Sequence, residues 1–397
     1  MFTEKKKISF KKKVILCFVK YYLPGYRYGG PVRSIVNFVE EFGDQYDIRI
    51  VCSSHDALDN KPYKGINIEE WNQVGKAKVF YVSNKFRKFK KIFKLLRQTK
   101  FDVLYLNSFF TFTFSIFPLL VQYFNLTSLK SCVIAPRGEF AKNAIELKKF
   151  KKLVYMYFVK FIGLYNHLCW QASSNLESKD ISRALKNTPK TIKVAPDLIS
   201  SNWIIKKEAI HQRKQKFKII FLSRISPMKN LDFLINVLRG VSCSLELSII
   251  GPKDDKKYWD ECQKLIEKVP ENVKIHISDE IHPDEVPDTF SKYNLFVFPT
   301  RGENFGHVIP EALSVGTPIL LSDQTHWEQD ASLGLQILPL KSGAWINAIE
   351  EWSKLTDEEL LKRKKAALDY ANRIKIKNKH SFSKNKKLFD YKLSCLN

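Results

Sequence analysis

The chain has 397 residues, 44% of them apolar, and 66 basic against 41 acidic side chains leave a formal charge of +25. That length and composition allow two ordinary domains, each with its own core, and exclude a collagen-like, disordered or disulfide-framed chain. The charge is unevenly placed: residues 1–200 hold 35 basic and 15 acidic residues, residues 201–397 hold 31 and 26, so the first half is expected to face an anionic partner.

In chain order, basic clusters at Lys5 to Lys7 and Lys11 to Lys13 precede an apolar run that Lys20 interrupts. Without a small-residue cleavage site it does not read as a signal peptide. Short β-branched and aromatic runs then alternate with longer helical patterns, which predicts parallel sheets with crossover helices. A first series places strands at residues 13–18, 47–53, 78–82, 103–106, 132–135, 168–172 and 191–194; a second places them at 218–222, 245–250, 273–277, 295–299 and 318–321. The stretch 109–124 is rich in Phe and Leu but carries Thr111, Thr113, Ser115, Pro118 and Gln122. It is shorter than the roughly 20 apolar residues of a span and reads as a buried or interfacial helix.

Polar, aperiodic residues 200–216 mark the domain boundary, and residues 356–397 read as two helices separated near Asn378 to Ser383, the second returning to the first lobe. The expected organisation is residues 1–205 as an acceptor-binding domain, 206–377 as a nucleotide-sugar-binding domain and 378–397 as a helix packing toward the first. None of the seven cysteines stands in a Cys-x-x-Cys pair, which fits free thiols in a reducing compartment.

In open parallel sheets ligands bind beyond the carboxyl ends of strands, so those loops carry the candidate chemistry. After strand 13–18 comes a turn with Gly29-Gly30-Pro31 at a helix start, where glycine permits close approach of an anion. After strand 218–222, Arg224 and Lys229 flank a short loop and can set two positive charges on one diphosphate, with Asn230 as the expected N-cap of the next helix. After strand 295–299 runs Gly302-Glu303-Asn304-Phe305-Gly306-His307-Val308-Ile309-Pro310-Glu311. A helix starting near Phe305 or Gly306 would offer amide N-H groups to a phosphate, place Glu303 before it, and set Glu311 about 8 Å along its axis. A capping Glu303 and a solvated Glu311 are the plainer alternatives.

These residues resemble the retaining glycosyltransferases of family 4, which have the GT-B fold: two Rossmann-like α/β domains facing across a cleft, with a C-terminal helix returning to the first. The resemblance rests on residues 302–313, on Ser223-Arg224-Ile225 with Lys229, on Pro136-Arg137-Gly138 and on Pro196-Asp197-Leu198-Ile199. It implies that Arg224 and Lys229 bind the diphosphate and Glu303 contacts the donor sugar. It further implies that Asn304, Phe305, Gly306, His307 and Val308 present the phosphate-facing backbone, that Glu311 meets the ribose, and that Gly29 and Gly30 form the first-lobe loop that closes on the donor. On the acceptor side stand Asn107, where many members have His, and Arg137; Asp197 replaces a commoner Asn. No metal or other cofactor is implied.

The expected partners are a UDP- or GDP-linked sugar, a lipid-linked or growing glycan acceptor and an anionic membrane surface, with no nucleic acid, since no nucleic-acid-binding signature accompanies the charge. Two basic, apolar segments support the membrane. Residues 85–100 hold eight basic residues and no acid, with Phe86, Phe89, Phe93 and Leu96 on one side; residues 148–165 mix Lys with Phe150, Leu153, Tyr157, Phe161 and Leu164. Either segment can instead turn its apolar side to the core. The expected setting is bacterial surface polysaccharide assembly on the inner face of the cytoplasmic membrane. Remaining alternatives are a sugar-nucleotide epimerase or hydrolase of the same fold, and a non-catalytic basic adaptor. The pair His276 and His282 lacks metal-site spacing.

Overall fold

The computed structural model describes the chain apart from residues 1–10, 58, 84–86, 125, 127–130, 147–148, 187–190, 201–202, 204, 206–215 and 391–397. Lys5 to Lys7, Lys85, Phe86, Lys148, Cys395 and most of the expected boundary segment lie outside the described residues. The first sheet is built from β1 (Val14–Phe18), β2 (Asp47–Ser53), β3 (Trp71–Val74), β4 (Ala77–Val82), β5 (Val103–Leu106), β6 (Ser131–Ile134), β7 (Cys169–Ala172) and β8 (Ile192–Val194). Its order is 3-4-2-1-5-6-7-8, parallel except for the β3–β4 hairpin. Between and around these strands run α1 (Gly30–Phe42), α2 (Lys88–Gln98), α3 (Phe117–Tyr123), α4 (Lys142–Glu146), α5 (Lys149–Phe161) and α6 (Asn175–Ala184). Every residue of β1 and β5 is buried, as expected for strands covered on both faces.

The second sheet contains β9 (Phe217–Leu222), β10 (Leu245–Ile250), β11 (Val273–Ser278), β12 (Leu295–Phe298), β13 (Ile319–Ser322) and β14 (Leu335–Leu338), in the order 11-10-9-12-13-14 and wholly parallel. Its helices are α7 (Leu231–Leu238), α8 (Lys256–Ile266), α9 (Val286–Ser291), α10 (Val308–Ser314), α11 (Ser342–Lys354) and α12 (Asp357–Phe389). Strand order reverses between β1 and β5 in one sheet and between β9 and β12 in the other. Those two switch points fix where a crevice opens.

All twelve expected strands are present within a residue or so of their read limits. Two edge strands were not expected. β3 has only one β-branched residue and pairs because Gly75, at φ 55°, closes a hairpin onto β4; β14 is added beside β13.

The two helices expected after residue 356 are one continuous helix, α12, which corrects the break read at Asn378 to Ser383. Low helix propensity there is overridden by tertiary hydrogen bonds. Asn378 Nδ2 donates to the Ile199 carbonyl at 2.7 Å and its Oδ1 accepts from the Ile199 amide at 3.1 Å, and Asn385 Nδ2 donates to the Pro196 carbonyl at 2.7 Å. The helix thereby ties the lobes: Leu360, Ala367 and Ala371 sit in the second core, Leu388 and Phe389 in the first.

The expected helix over 109–124 is present in a shorter, partly π-helical form. A π-helical turn, Phe112–Ile116, leads into the short α3, burying Phe109, Phe114 and Ile116 but leaving Phe112, Tyr123 and Phe124 exposed. Among the described residues no helix is long and apolar enough to cross a membrane.

Candidate functional site

The loops that leave the carboxyl ends of β1, β5, β6 and β8 face those that leave β9 and β12. On the second lobe, β9 and β12 are neighbours in the sheet, so the 223–230 and 300–307 loops lie side by side. Hydrogen bonds lace them: the Arg301 amide donates to the Met228 carbonyl at 2.8 Å, and Asn230 Nδ2 to the Pro299 carbonyl at 2.9 Å. Asn230 holds the N-cap position of α7 as expected, but its side chain makes no capping hydrogen bond to the helix. It adopts a left-handed φ of 63° and spends its amide on the neighbouring loop.

Lys229 Nζ is paired with Glu303 Oε2, both side chains mostly buried. Glu303 is thus no helix cap; it is the counter-charge of the cation expected to hold a diphosphate. The Arg224 guanidinium lies over the Tyr28 ring, 5.7 Å from its centroid, which sets a first-lobe aromatic against a second-lobe cation. Gly306 makes the turn into α10 at φ 77°, and a Cβ there would meet Glu303 Cγ at 2.8 Å. Any other residue would displace the glutamate.

α10 begins at Val308, not at Phe305 or Gly306. Phe305 is instead a core residue, its carbonyl accepting from Trp327 Nε1 at 2.8 Å, which corrects its expected place at the helix start. Pro310 still falls in the first turn, where a missing N-H costs little.

Glu311 is not a solvated charge. It pairs with Arg33 of α1 at 3.5 Å across the cleft. Burial outweighs that attraction and pushes its carboxyl up to about 7.

His307, expected to contribute backbone, places its buried side chain in the first lobe's network. Its Nε2 lies 2.9 Å from Ser34 Oγ, and Ser34 Oγ donates to Asp197 Oδ2 at 2.6 Å. With the hydroxyl hydrogen committed to the carboxylate, Nε2-H is the donor and Nδ1 is unprotonated, a tautomer assigned from the hydrogen-bond network. Burial lowers the His307 pKa to about 4, with Asp197 opposing and Arg33 and Arg137 adding to the fall.

Arg137 fastens the first-lobe side. Its φ of 55° leaves β6 in a tight turn, and its guanidinium pairs with Asp197 and donates to Asn107 Oδ1 at 2.8 Å and to the Tyr105 hydroxyl at 2.7 Å. Although burial raises the Asp197 pKa, Arg137 and the bond from Ser34 hold the carboxyl below its usual range. Asn107 therefore turns its oxygen to Arg137. The imidazole that joins the Arg137–Asp197 network comes from His307 of the opposite lobe.

Asn304 also reaches across. Its Oδ1 is 2.7 Å from Ser173 Oγ, and a Cβ on Gly138, itself at φ 81°, would come within 3.1 Å of the Asn304 Cβ. Gly29 caps α1 and Gly30 opens it, close to the His307 ring. The expected site residues are thus spread over the facing loops and the starts of α1 and α10, with Phe305 turned into the second core. His276 and His282 stand outside this set, beside Glu246 and Asp284 respectively.

Sequence reading missed Tyr28, Arg33 and Ser34. The last two are the fourth and fifth residues of α1, shortly after Gly29 and Gly30. Position near that helix start was the available signal.

The opposed shifts of Glu311 and His307 have a stability consequence. Glu311 is held protonated in the fold, so its contribution is present below about pH 4.5 and is lost as pH rises toward 7. His307 is held neutral, so its contribution is present above about pH 6.5 and is lost as pH falls toward 4. Glu311→Gln should therefore melt progressively higher than the wild type as pH rises from 4.5 to 7, and His307→Gln should lose its deficit relative to wild type as pH falls from 6.5 to 4. Melting curves recorded across that range check both signs.

Comparison with known proteins places the geometry. The family model of glycosyl transferases group 1 matches residues 204–367. An uncharacterised 41.2 kDa protein in the cps region of Klebsiella pneumoniae is 28% identical over 251 residues, 62% of this chain and 66% of that protein. The capsular polysaccharide biosynthesis glycosyltransferase CapM of Staphylococcus aureus is 27% identical over 180 residues, 45% of this chain and 40% of CapM. The chain thus spans less than two thirds of the length of each of these curated relatives. Among solved structures, Anabaena Alr3699/HepE in complex with UDP-glucose superposes with a TM-score of 0.67 at 14% identity, covering 94% of this chain and 99% of that one. The chain therefore has the two-lobed GT-B fold, and its second lobe, over residues 204–367, matches glycosyl transferases group 1.

Proposed function

We propose that the protein is a glycosyltransferase that moves a hexose from a UDP- or GDP-linked donor to a lipid-linked or growing glycan acceptor in bacterial surface polysaccharide assembly. The observation that carries this reading is that Arg224, Lys229 and Glu303 stand on two adjacent loops at the β9–β12 switch point, with Glu311 on the helix that follows the second loop. The matches to capsule-region proteins and to a UDP-glucose complex of the same fold support it.

In this reading Arg224 and Lys229 stabilise the charge that grows on the departing nucleoside diphosphate, so no metal is required. Glu303, released from Lys229 as the diphosphate takes that cation, accepts hydrogen bonds from sugar hydroxyls. Glu311 exchanges Arg33 for the ribose, and the acceptor enters from the first lobe. Retention of anomeric configuration is proposed from the family resemblance.

Thermal-shift titration with a panel of UDP- and GDP-sugars is the direct test. A cognate donor at about 100 times its Kd stabilises the protein by about 2.7 kcal/mol, which raises the melting temperature by several degrees. If no nucleoside diphosphate or nucleotide sugar shifts it, the reading fails.

A further inference from the structure

The helix α5 has two apolar faces, and only one of them is used by the fold. Met156 and Val159 are buried, and Tyr155 and Ile162 pack against the first-lobe core. The opposite face presents Phe150, Leu153, Val154, Tyr157, Phe158 and Phe161, all exposed. Phe150 is 80% exposed, Tyr157 79% and Phe161 84%.

Their spacing is that of a single helical stripe. At about 100° per residue the six side chains cover an arc of roughly 140°, with Lys149 and Lys160 along one border and Lys151 along the other.

The patch continues beyond α5. The Tyr123 hydroxyl donates to the Ile162 carbonyl at 2.8 Å, which brings the exposed Tyr123 and Phe124 against the end of α5. Leu126, also exposed, borders a cavity of about 1020 Å³ lined by six cations, among them Arg97 and Lys100.

The surrounding sequence is predominantly basic. From Arg87 to Phe161 the sequence holds fifteen basic residues and three acidic ones. Of the three, Glu139 is committed to Ser108 Oγ and the Phe109 and Phe110 amides, and Asp102 to the Val14 amide. By contrast α2, also basic, turns Ile92, Leu95 and Leu96 into the core, and its Lys91 pairs with Glu69 at 2.7 Å.

We infer that the α5 stripe, with Tyr123 and Phe124, inserts into the interfacial region of an anionic bilayer while the flanking lysines meet its headgroups. Aromatic and aliphatic side chains gain by leaving water at that depth, and cations beside them add attraction to anionic lipid. Charge complementarity selects the occupant: a second copy of this chain would bring lysine against lysine around the same stripe.

The position also serves the cleft. α4, joined to α5, reaches the second lobe, where Asn143 Nδ2 donates to the Arg301 carbonyl at 2.9 Å. The helix that bears the stripe therefore follows directly on one that touches the second lobe. This deepens the proposed function by naming the surface through which a membrane-borne acceptor is met.

Flotation with phosphatidylglycerol-containing and pure phosphatidylcholine vesicles tests it, using wild type and Phe150→Ser/Phe161→Ser. Both changes are at exposed positions, and far-UV circular dichroism with UDP- and GDP-sugar thermal shifts on the same samples reports that the fold and donor site are intact. The wild type should float with anionic vesicles at low salt and much less with neutral ones. The double variant should partition about tenfold or more weakly.

Three results would overturn the inference: no flotation of the wild type, equal flotation of the variant, or a wild-type dimer in sedimentation that the variant abolishes while flotation is unchanged. Loss of the donor-induced thermal shift would instead count against the proposed function, so the two failures are distinguishable.

Discussion

Replacing Glu303 by Gln is expected to lower turnover about 100-fold or more, the scale seen when a group that stabilises developing charge in the transition state is removed, without weakening the binding of free UDP or GDP. The reason is the Lys229–Glu303 ion pair. Gln keeps the shape of the side chain but removes the anion that occupies Lys229, so a diphosphate meets a less committed cation. Arg224→Ala and Lys229→Ala should lower turnover to a similar degree and weaken nucleoside diphosphate binding as well. A 100-fold fall in rate corresponds to about 2.7 kcal/mol of barrier. Turnover measured with the donor found by thermal shift, set beside calorimetric Kd values for UDP or GDP, separates the two roles. Wild-type rates in Arg224→Ala and Glu303→Gln would remove the assignment.

The second large effect is structural and lies on the opposite wall. Arg137→Ala leaves the Asp197 carboxylate buried without its cation and frees the Asn107 amide and Tyr105 hydroxyl that it organised. Breaking one partner of a buried pair costs about 3–5 kcal/mol, because the remaining charge is stranded in a poor dielectric. Adding Asp197→Asn removes that charge and should recover part of the stability. Urea unfolding followed by circular dichroism measures both. A double variant no more stable than Arg137→Ala would show that the ion pair is not what the arginine supplies.

The candidate site was legible in part because its chemistry lies in short segments that follow strands. Arg224, Lys229, Glu303 and Glu311 sit a few residues beyond two apolar runs, and the rule that ligands gather at carboxyl ends of strands places them together without any tertiary information. The opposing wall was less legible. Asn107, Arg137 and Asp197 stand just beyond three strands well separated in sequence, and their mutual hydrogen bonds depend on the order in which those strands are laid in the sheet. Arg33 and Ser34 carried no signal beyond their place near the start of α1, since nothing local distinguishes a serine that reaches across a cleft from one that is solvated.

The basic segments divide for a similar reason. α2 and α5 share composition, yet α2 buries its apolar side and α5 leaves one of its two apolar faces outside. Periodicity shows that a stripe exists; it does not show which way the stripe faces.

What the sequence by itself determined was the alternation of strands and helices, the two parallel sheets and the loops that bear cations and carboxylates, because hydrophobic period and turn residues are local properties. The tertiary structure alone decided that α12 runs unbroken from one lobe to the other, that His307 answers to Ser34 and Asp197, and that Glu311 is held near neutrality against Arg33. Each of those outcomes depends on burial and on a partner distant in the chain. Desolvation and long-range pairing are set by how the lobes pack, and no local pattern of residues encodes them.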